Sequence, residues 1–240
     1  MKDTKLTFKR TEKKYLLSPA SYDALWQRIG PYMEPDEYPA STVCSIYYDT
    51  DDYRLIRHSV EGPVYKEKLR LRSYNVPGPE DPVFVELKKK YKGVVYKRRV
   101  CLSVREAEAW LDRGEKPRED GQMVREIDWF LRSVRPGAKA YLACDRQAWR
   151  SVEDAELRIT FDRNIRWRET ELTLCQGDQG ETLLPGGELL MEIKTPTAAP
   201  LWLAHALSEL QMFPVSFSKY GTCYKDHILK EYIFGGSIHA

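Results

Sequence analysis

VYKEKLRLRSYNVPGPEDPVFVELKKKYKGVVYKRRV, residues 64–100, alternates charged and apolar side chains through three successive runs. Successive residues of a strand point to opposite faces, so every second side chain shares a face. In the run 64–75, Lys66, Lys68, Arg70 and Arg72 line one face, and Leu69 and Leu71 line the other. In 82–91, Glu86, Lys88 and Lys90 oppose Val83, Val85 and Leu87; in 94–103, Lys97 shares a face with Arg99. The turn-rich VPGPEDP joins the first two runs, and Gly93 sits in the tight connection between the second and third. This pattern predicts three antiparallel strands with one apolar and one cationic face.

The same design recurs at a distance. KRTEKKYLL places Arg10, Glu12 and Lys14 together, and LLMEIKT sets Glu192 and Lys194 against Met191 and Ile193. Later strands add Arg146, then Arg158 with Thr160 and Asp162. For any one strand the ordinary reading is a solvated outer face. Two features argue for more. Cations adjacent at i, i+2 repel unless anions lie nearby. The Glu-x-Lys arrangement also recurs on three strands far apart, as Glu12/Lys14, Glu86/Lys88 and Glu192/Lys194. Closing the sheet with its charged face inward would focus positive potential on a linear phosphate chain. Carboxylates in such a channel would hold a divalent cation bridging phosphate oxygens.

The remaining segments read as follows. A strand spans 6–17, and Ser18 caps a helix with Pro19 at its first position and an apolar stripe of Leu25, Trp26 and Ile29. A β-branched and aromatic strand covers 41–50, followed by a short helix at 51–60. Helices are expected at 104–112 and 123–134, strands at 139–150, 156–165, 167–174 and 189–195, and closing helices at 200–210 and 219–232. No repeat or long linker divides the chain, so one domain over 1–240 is expected, of class α+β.

Composition sets bounds on function. Twelve per cent aromatic residues, spread end to end, exclude a disordered chain. Lys+Arg is 38 against 36 Asp+Glu, a net charge of +2 that argues against a duplex-binding surface and against nucleic acid as a partner. The total conceals segregation: residues 64–100 hold eleven basic and four acidic side chains, while 105–128 hold five and eight. No apolar run approaches the roughly 18–20 residues of a membrane span, and MKDTKLTFKR is not followed by the apolar core of a secretory signal. A cytosolic protein is expected. The five cysteines and four histidines lack zinc-ligand spacing, and no G-x-x-x-x-G-K-[ST] loop occurs. Free, mostly buried thiols in a reducing compartment follow.

Other features have plain readings. Tyr47 and Tyr48 pack a strand, with a nucleobase contact as the alternative, and Asp49 caps a turn or helix. Trp202, Leu203, Leu207 and Leu210 form an apolar helix face. Lys89, Lys90 and Lys92 form a solvated rim, and Gly235 and Gly236 a flexible end.

Taken in order, FKRTEKKYLL, SIYYDT, KLRLRSY, FVELKKK, YKRRV, DRQAW, LRITFD, LMEIKT and SFSKY resemble the VTC domain, the polyphosphate polymerase module of the triphosphate tunnel metalloenzymes. The resemblance covers almost the whole chain. It implies a closed antiparallel β-barrel tunnel of about eight strands with helices packed outside, which moves the γ-phosphate of ATP onto inorganic polyphosphate. On the family pattern Lys14, Arg70, Arg72, Lys88, Lys97, Arg146, Arg158 and Lys219 contact phosphates. Lys68, Arg99, Lys194 and Ser218 help bind substrate, and Glu192 with Glu12 holds Mn²⁺ or Mg²⁺. Two departures stand out. Arg10 replaces the first acid of the N-terminal motif, which argues against a triphosphatase needing an acid-rich site. Cys144 stands where the family often has a tyrosine. The alternatives are a tunnel triphosphatase using water as acceptor and a non-catalytic polyphosphate-binding module. With no membrane segment of its own, the chain would need a membrane partner for any polyphosphate export.

Overall fold

The computed structural model describes residues 11–92, 94–118, 120–196 and 198–230. Strand β1 (Thr11–Leu17) leads into helix α1 (Pro19–Ile29), whose cap Ser18 accepts a hydrogen bond from the Ser21 amide at 3.1 Å. There follow β2 (Met33–Asp49), α2 (Arg54–Val60), β3 (Tyr65–Tyr74), β4 (Pro82–Tyr91), β5 (Val94–Ser103), α3 (Val104–Arg113) and α4 (Gln122–Val134). The chain continues through β6 (Gly137–Ser151), β7 (Arg158–Arg168), β8 (Glu181–Thr182), β9 (Leu189–Thr195) and α5 (Leu201–Glu209). Helix α6 (Lys219–Cys223) then runs into a π-helical turn at Tyr224–Ile228. The class is α+β, with an antiparallel nine-stranded sheet.

Hydrogen bonds order the strands β1-β9-β7-β6-β2-β3-β4-β5, with β8 paired to β7. This is a path with two ends, and among the described residues the sheet is not closed into the barrel that the sequence led us to expect. The terminal strands explain it locally. Glu12 and Lys13 are exposed on β1, as is Lys97 on β5, and charged edges of this kind resist further pairing.

Two further expectations change. Strand β2 begins at Met33, eight residues before the expected start, because Pro35 and Pro39 disguise its first half. The strand expected at 167–174 is absent; β7 continues only to Arg168 before irregular backbone takes over. The first five residues of the expected strand 6–17, Arg10 among them, lie outside the described residues, as do Gly93, the end of the closing helix, Gly235 and Gly236.

The chain divides into two compact units, with β2, β6 and β7 contributing to both. The first comprises the described residues up to Ser41 with Asp145–Asn164 and Leu184–Phe217; the second comprises Thr42–Cys144, Ile165–Leu183 and the described residues from Ser218. Each has its own core. In the second unit, Leu69, Leu71, Val83, Val85 and Leu87 pack with Trp110 of α3 and Ile127 and Phe130 of α4. A reciprocal capping box between Ser103 and Glu106 starts α3 on this face. In the first unit, Tyr15, Ile159, Phe161, Met191 and Ile193 pack with Leu25 and Ile29 of α1 and Leu203 and Leu207 of α5, while Trp202 and Leu210 border them. Each fully buried apolar side chain contributes roughly 1.5–3 kcal/mol. Helices therefore cover the apolar strand faces. Among the described residues no helix is long and apolar enough to cross a membrane. Cys44, Cys144 and Cys223 are buried free thiols, Cys175 is half-buried and Cys101 is exposed.

Candidate functional site

On the charged face of the second unit, cross-strand register builds a grid. Lys68 of β3 faces Lys88 of β4, which faces Lys97 of β5. In the next row Arg70 faces Glu86, which faces Arg99. In the third, Arg72 faces Phe84, which faces Cys101. The Glu86 carboxylate is 1% exposed and gathers three cations. Its Oε2 accepts from Arg70 Nε at 2.7 Å and Nη2 at 2.6 Å; its Oε1 accepts from Lys97 Nζ at 2.6 Å and Arg99 Nε at 2.6 Å. Burial alone would raise the Glu86 pKa, but the charges of Arg70, Arg72 and Lys97 hold it well below the usual carboxylate range.

Hydroxyls frame the grid. Tyr47 lies opposite Arg70 in the β2–β3 register, and its Oη accepts from Arg70 Nη1 at 3.4 Å. Burial pushes the Tyr47 phenol up, yet Arg70, Arg72 and Lys68 outweigh it and bring the pKa down to about 8. Ser45 Oγ accepts from Arg72 Nε at 3.3 Å, and Tyr74 Oη from Arg99 Nη2 at 3.4 Å. The Arg99 guanidinium lies 4.3 Å above the Phe84 ring. Lys68 Nζ donates to Ser218 Oγ at 2.8 Å, and Ser218 caps α6 directly before Lys219. The Tyr47 and Tyr220 rings stack at 4.6 Å. Tyr220 Oη donates to Asp49 at 3.2 Å, and Asp49 also accepts the Leu55 and Ile56 amides at 2.9 and 3.0 Å, as a cap for α2.

The first unit carries a second cluster. Glu192 of β9 lies opposite Lys14 of β1 and Thr160 of β7. Its carboxylate is 3.3 Å from Lys14, 3.6 Å from Lys194 and 3.8 Å from Arg146. Lys14 Nζ is also 3.6 Å from Glu12, so a positive charge already sits between the two carboxylates. Arg146 forks onto buried Asp162, Nε to Oδ1 at 2.6 Å and Nη2 to Oδ2 at 2.7 Å. Arg158 is held by Asp36 through Nε at 2.7 Å and through Nη2. Among the described residues no three His, Cys, Asp or Glu side chains group as a metal cage. Glu12 and Glu192 still suit a hard divalent cation, provided that phosphate oxygens complete its shell. A cavity of about 590 Å³, bordered by Tyr15, Ile193, Leu207 and Met212, lies on the opposite, apolar side of β1 and β9 and contains neither Lys14 nor Glu192.

A model of the VTC domain matches residues 9–227. The chain belongs to the VTC domain family. No curated protein matches it in sequence. Among solved structures, this VTC-domain chain is similar to a Bacillus halodurans protein provisionally named an adenylate cyclase: 16% identity over 86% of this chain and 92% of that one, TM-score 0.52. A Vibrio parahaemolyticus protein of the same provisional name gives 14% identity over 90% and 97%, TM-score 0.47. At such identities the first likeness concerns the fold alone.

The residues singled out in the VTC-domain sequence fall into two groups. Lys68, Arg70, Arg72, Lys88, Lys97 and Arg99 share one face in the second unit, with Ser218 bonded to Lys68 and Lys219 next in the chain. Glu12, Lys14, Arg146, Glu192 and Lys194 cluster in the first, and Arg158 lies opposite Lys194. Tyr47 packs as expected, buried and stacked on Tyr220, and its hydroxyl in addition meets Arg70. Its alternation with Ser45 and Asp49 in SIYYDT was the available signal. Asp36, Tyr74 and the bidentate role of Asp162 had no comparable signal.

Proposed function

We propose that this VTC-domain protein is a polyphosphate polymerase that transfers the γ-phosphate of ATP to a growing inorganic polyphosphate chain. The observation that supports it best is the cationic grid ordered around buried Glu86 on β3, β4 and β5. Phosphoryl transfer asks mainly for positioning and for neutralisation of charge spread over the equatorial oxygens. Arg70, Arg72 and Arg146, oriented by Glu86, Ser45 and Asp162, would offer phosphate their remaining guanidinium hydrogens. The lysine row Lys68, Lys88 and Lys97 offers less directional contacts, suited to a chain that advances. Lys14, Lys219 and Arg158 would add phosphate contacts, and Lys194 and Ser218 would support them.

In the reaction, the bond between the γ-phosphorus and the oxygen bridging it to the β-phosphate breaks. A terminal oxygen of the chain bonds to that phosphorus, and ADP leaves. The acceptor is already anionic, so no general base is required. Glu192 and Glu12 would hold Mn²⁺ or Mg²⁺, which supplies charge neutralisation on the phosphates when bound. Reduced thiols and ATP use both suit the cytoplasm, and any export would require a membrane partner.

The test is incubation of purified protein with ATP and Mn²⁺, with products resolved on a gel. A ladder of polyphosphate with stoichiometric ADP is expected. Release of phosphate with no chain would make the protein a triphosphatase. Tight polyphosphate binding without turnover under any metal would make it a binding module.

A further inference from the structure

A buried anion at the centre of an anion-binding face is an electrostatic contradiction. Glu86 is 1% exposed, it sits in the middle strand of the grid, and its negative charge opposes any phosphate brought there. Removing an isolated charge of this kind should strengthen polyanion binding.

The geometry gives it another purpose. Arg70, Lys97 and Arg99 repel one another, and they are drawn together by the two oxygens of one carboxylate. Both guanidiniums are further fixed from outside: Arg70 by the Tyr47 hydroxyl, Arg99 by the Tyr74 hydroxyl and the Phe84 ring. Short charge-assisted contacts on both oxygens leave the carboxylate committed to its own cations. The orientation of each cation thus depends on the same buried group.

We propose that Glu86 is a positioning residue, which fixes Arg70, Lys97 and Arg99 as one preset donor array and does not itself touch phosphate. The proposal rests on the reading that this face binds a phosphate chain. It makes the sequence motif FVELKKK a source of orientation through its glutamate as well as of charge through Lys88.

Calorimetric binding of inorganic triphosphate and of orthophosphate to the full chain tests it, with Glu86→Gln and Glu86→Asp beside the unaltered protein. Glu86→Gln makes the face more positive, yet its triphosphate affinity should fall by about tenfold or more, as when a hydrogen bond to a charged group is lost. Glu86→Asp keeps the charge and shortens the reach by one methylene, and its affinity should fall severalfold. In both, the preference for triphosphate over orthophosphate should shrink, which a general loss of stability would not cause. Melting curves identify a variant that fails to fold; Glu86→Asp then decides alone. Tighter or unchanged triphosphate binding in a folded variant overturns the positioning role. Absence of triphosphate binding by the unaltered protein overturns the phosphate-face reading, and the proposal with it.

Discussion

Glu86 and Glu192 occupy equivalent places in the two units and are held very differently. Each lies on a middle strand, β4 between β3 and β5 or β9 between β1 and β7, and each is buried on a charged face among three cations. Around Glu86 the contacts to Arg70, Lys97 and Arg99 Nε are 2.6–2.7 Å. Around Glu192 those to Lys14, Lys194 and Arg146 are 3.3–3.8 Å, longer than charge-assisted hydrogen bonds of about 2.7–2.9 Å. Asp162 accounts for part of this, because it takes the Arg146 fork for itself. One carboxylate is drawn in tightly by the cations it arranges; the other meets Lys14, Lys194 and Arg146 at longer range.

The two clusters are expected to fail in different ways. The largest effect is expected at Glu192→Ala, where chain synthesis from ATP at saturating Mn²⁺ should drop by about a thousandfold, the upper end for a lost electrostatic stabiliser. Turnover equal to that of the unaltered protein would remove Glu192 from the metal role. Replacing Arg70 and Arg72 together by alanine should weaken triphosphate binding on the order of a hundredfold, with two charged hydrogen-bonding groups removed; unchanged affinity in a titration would move the site off the grid. Arg146→Lys retains the charge but loses the fork onto Asp162, and a fall of about tenfold in triphosphate affinity is expected. An affinity equal to that of the arginine form would show that charge alone matters in the first unit.

The smallest effect concerns Tyr47. Its phenol ionises at about 8, lowered by Arg70, Arg72 and Lys68 against the effect of burial. Below that pH it is neutral; above it, a tyrosinate competes with phosphate for Arg70. Affinity for triphosphate should therefore decline as pH rises through about 8, and Tyr47→Phe should abolish that decline while weakening binding at pH 7 by about threefold, the size of one hydrogen bond. A pH profile identical in the two proteins would dismiss the tyrosine.

Alternation along single strands was legible in the sequence, and so were both faces of β3, β4, β5 and β9. Period two requires no knowledge of the partner strand. Partner choice was less accessible. Arg146 and Asp162 meet through β6 and β7, and Asp36 reaches Arg158 across a long sequence separation, so no local spacing announces either pair. The start of β2 was obscured because prolines suppress the strand signal, although the strand runs through them. Closure has no local signal: alternation marks a charged face without showing what it faces, and among the described residues the hydrogen-bond order ends at two charged edges.

The row Lys68–Lys88–Lys97 places three ammonium-bearing residues on successive strands, level with one another. Lys97 already has a counter-charge in Glu86, and Lys68 a partner in Ser218. If the proposed phosphate chain binds along this row, occupancy raises conformational stability by mass action, and the melting temperature becomes a readout of loading.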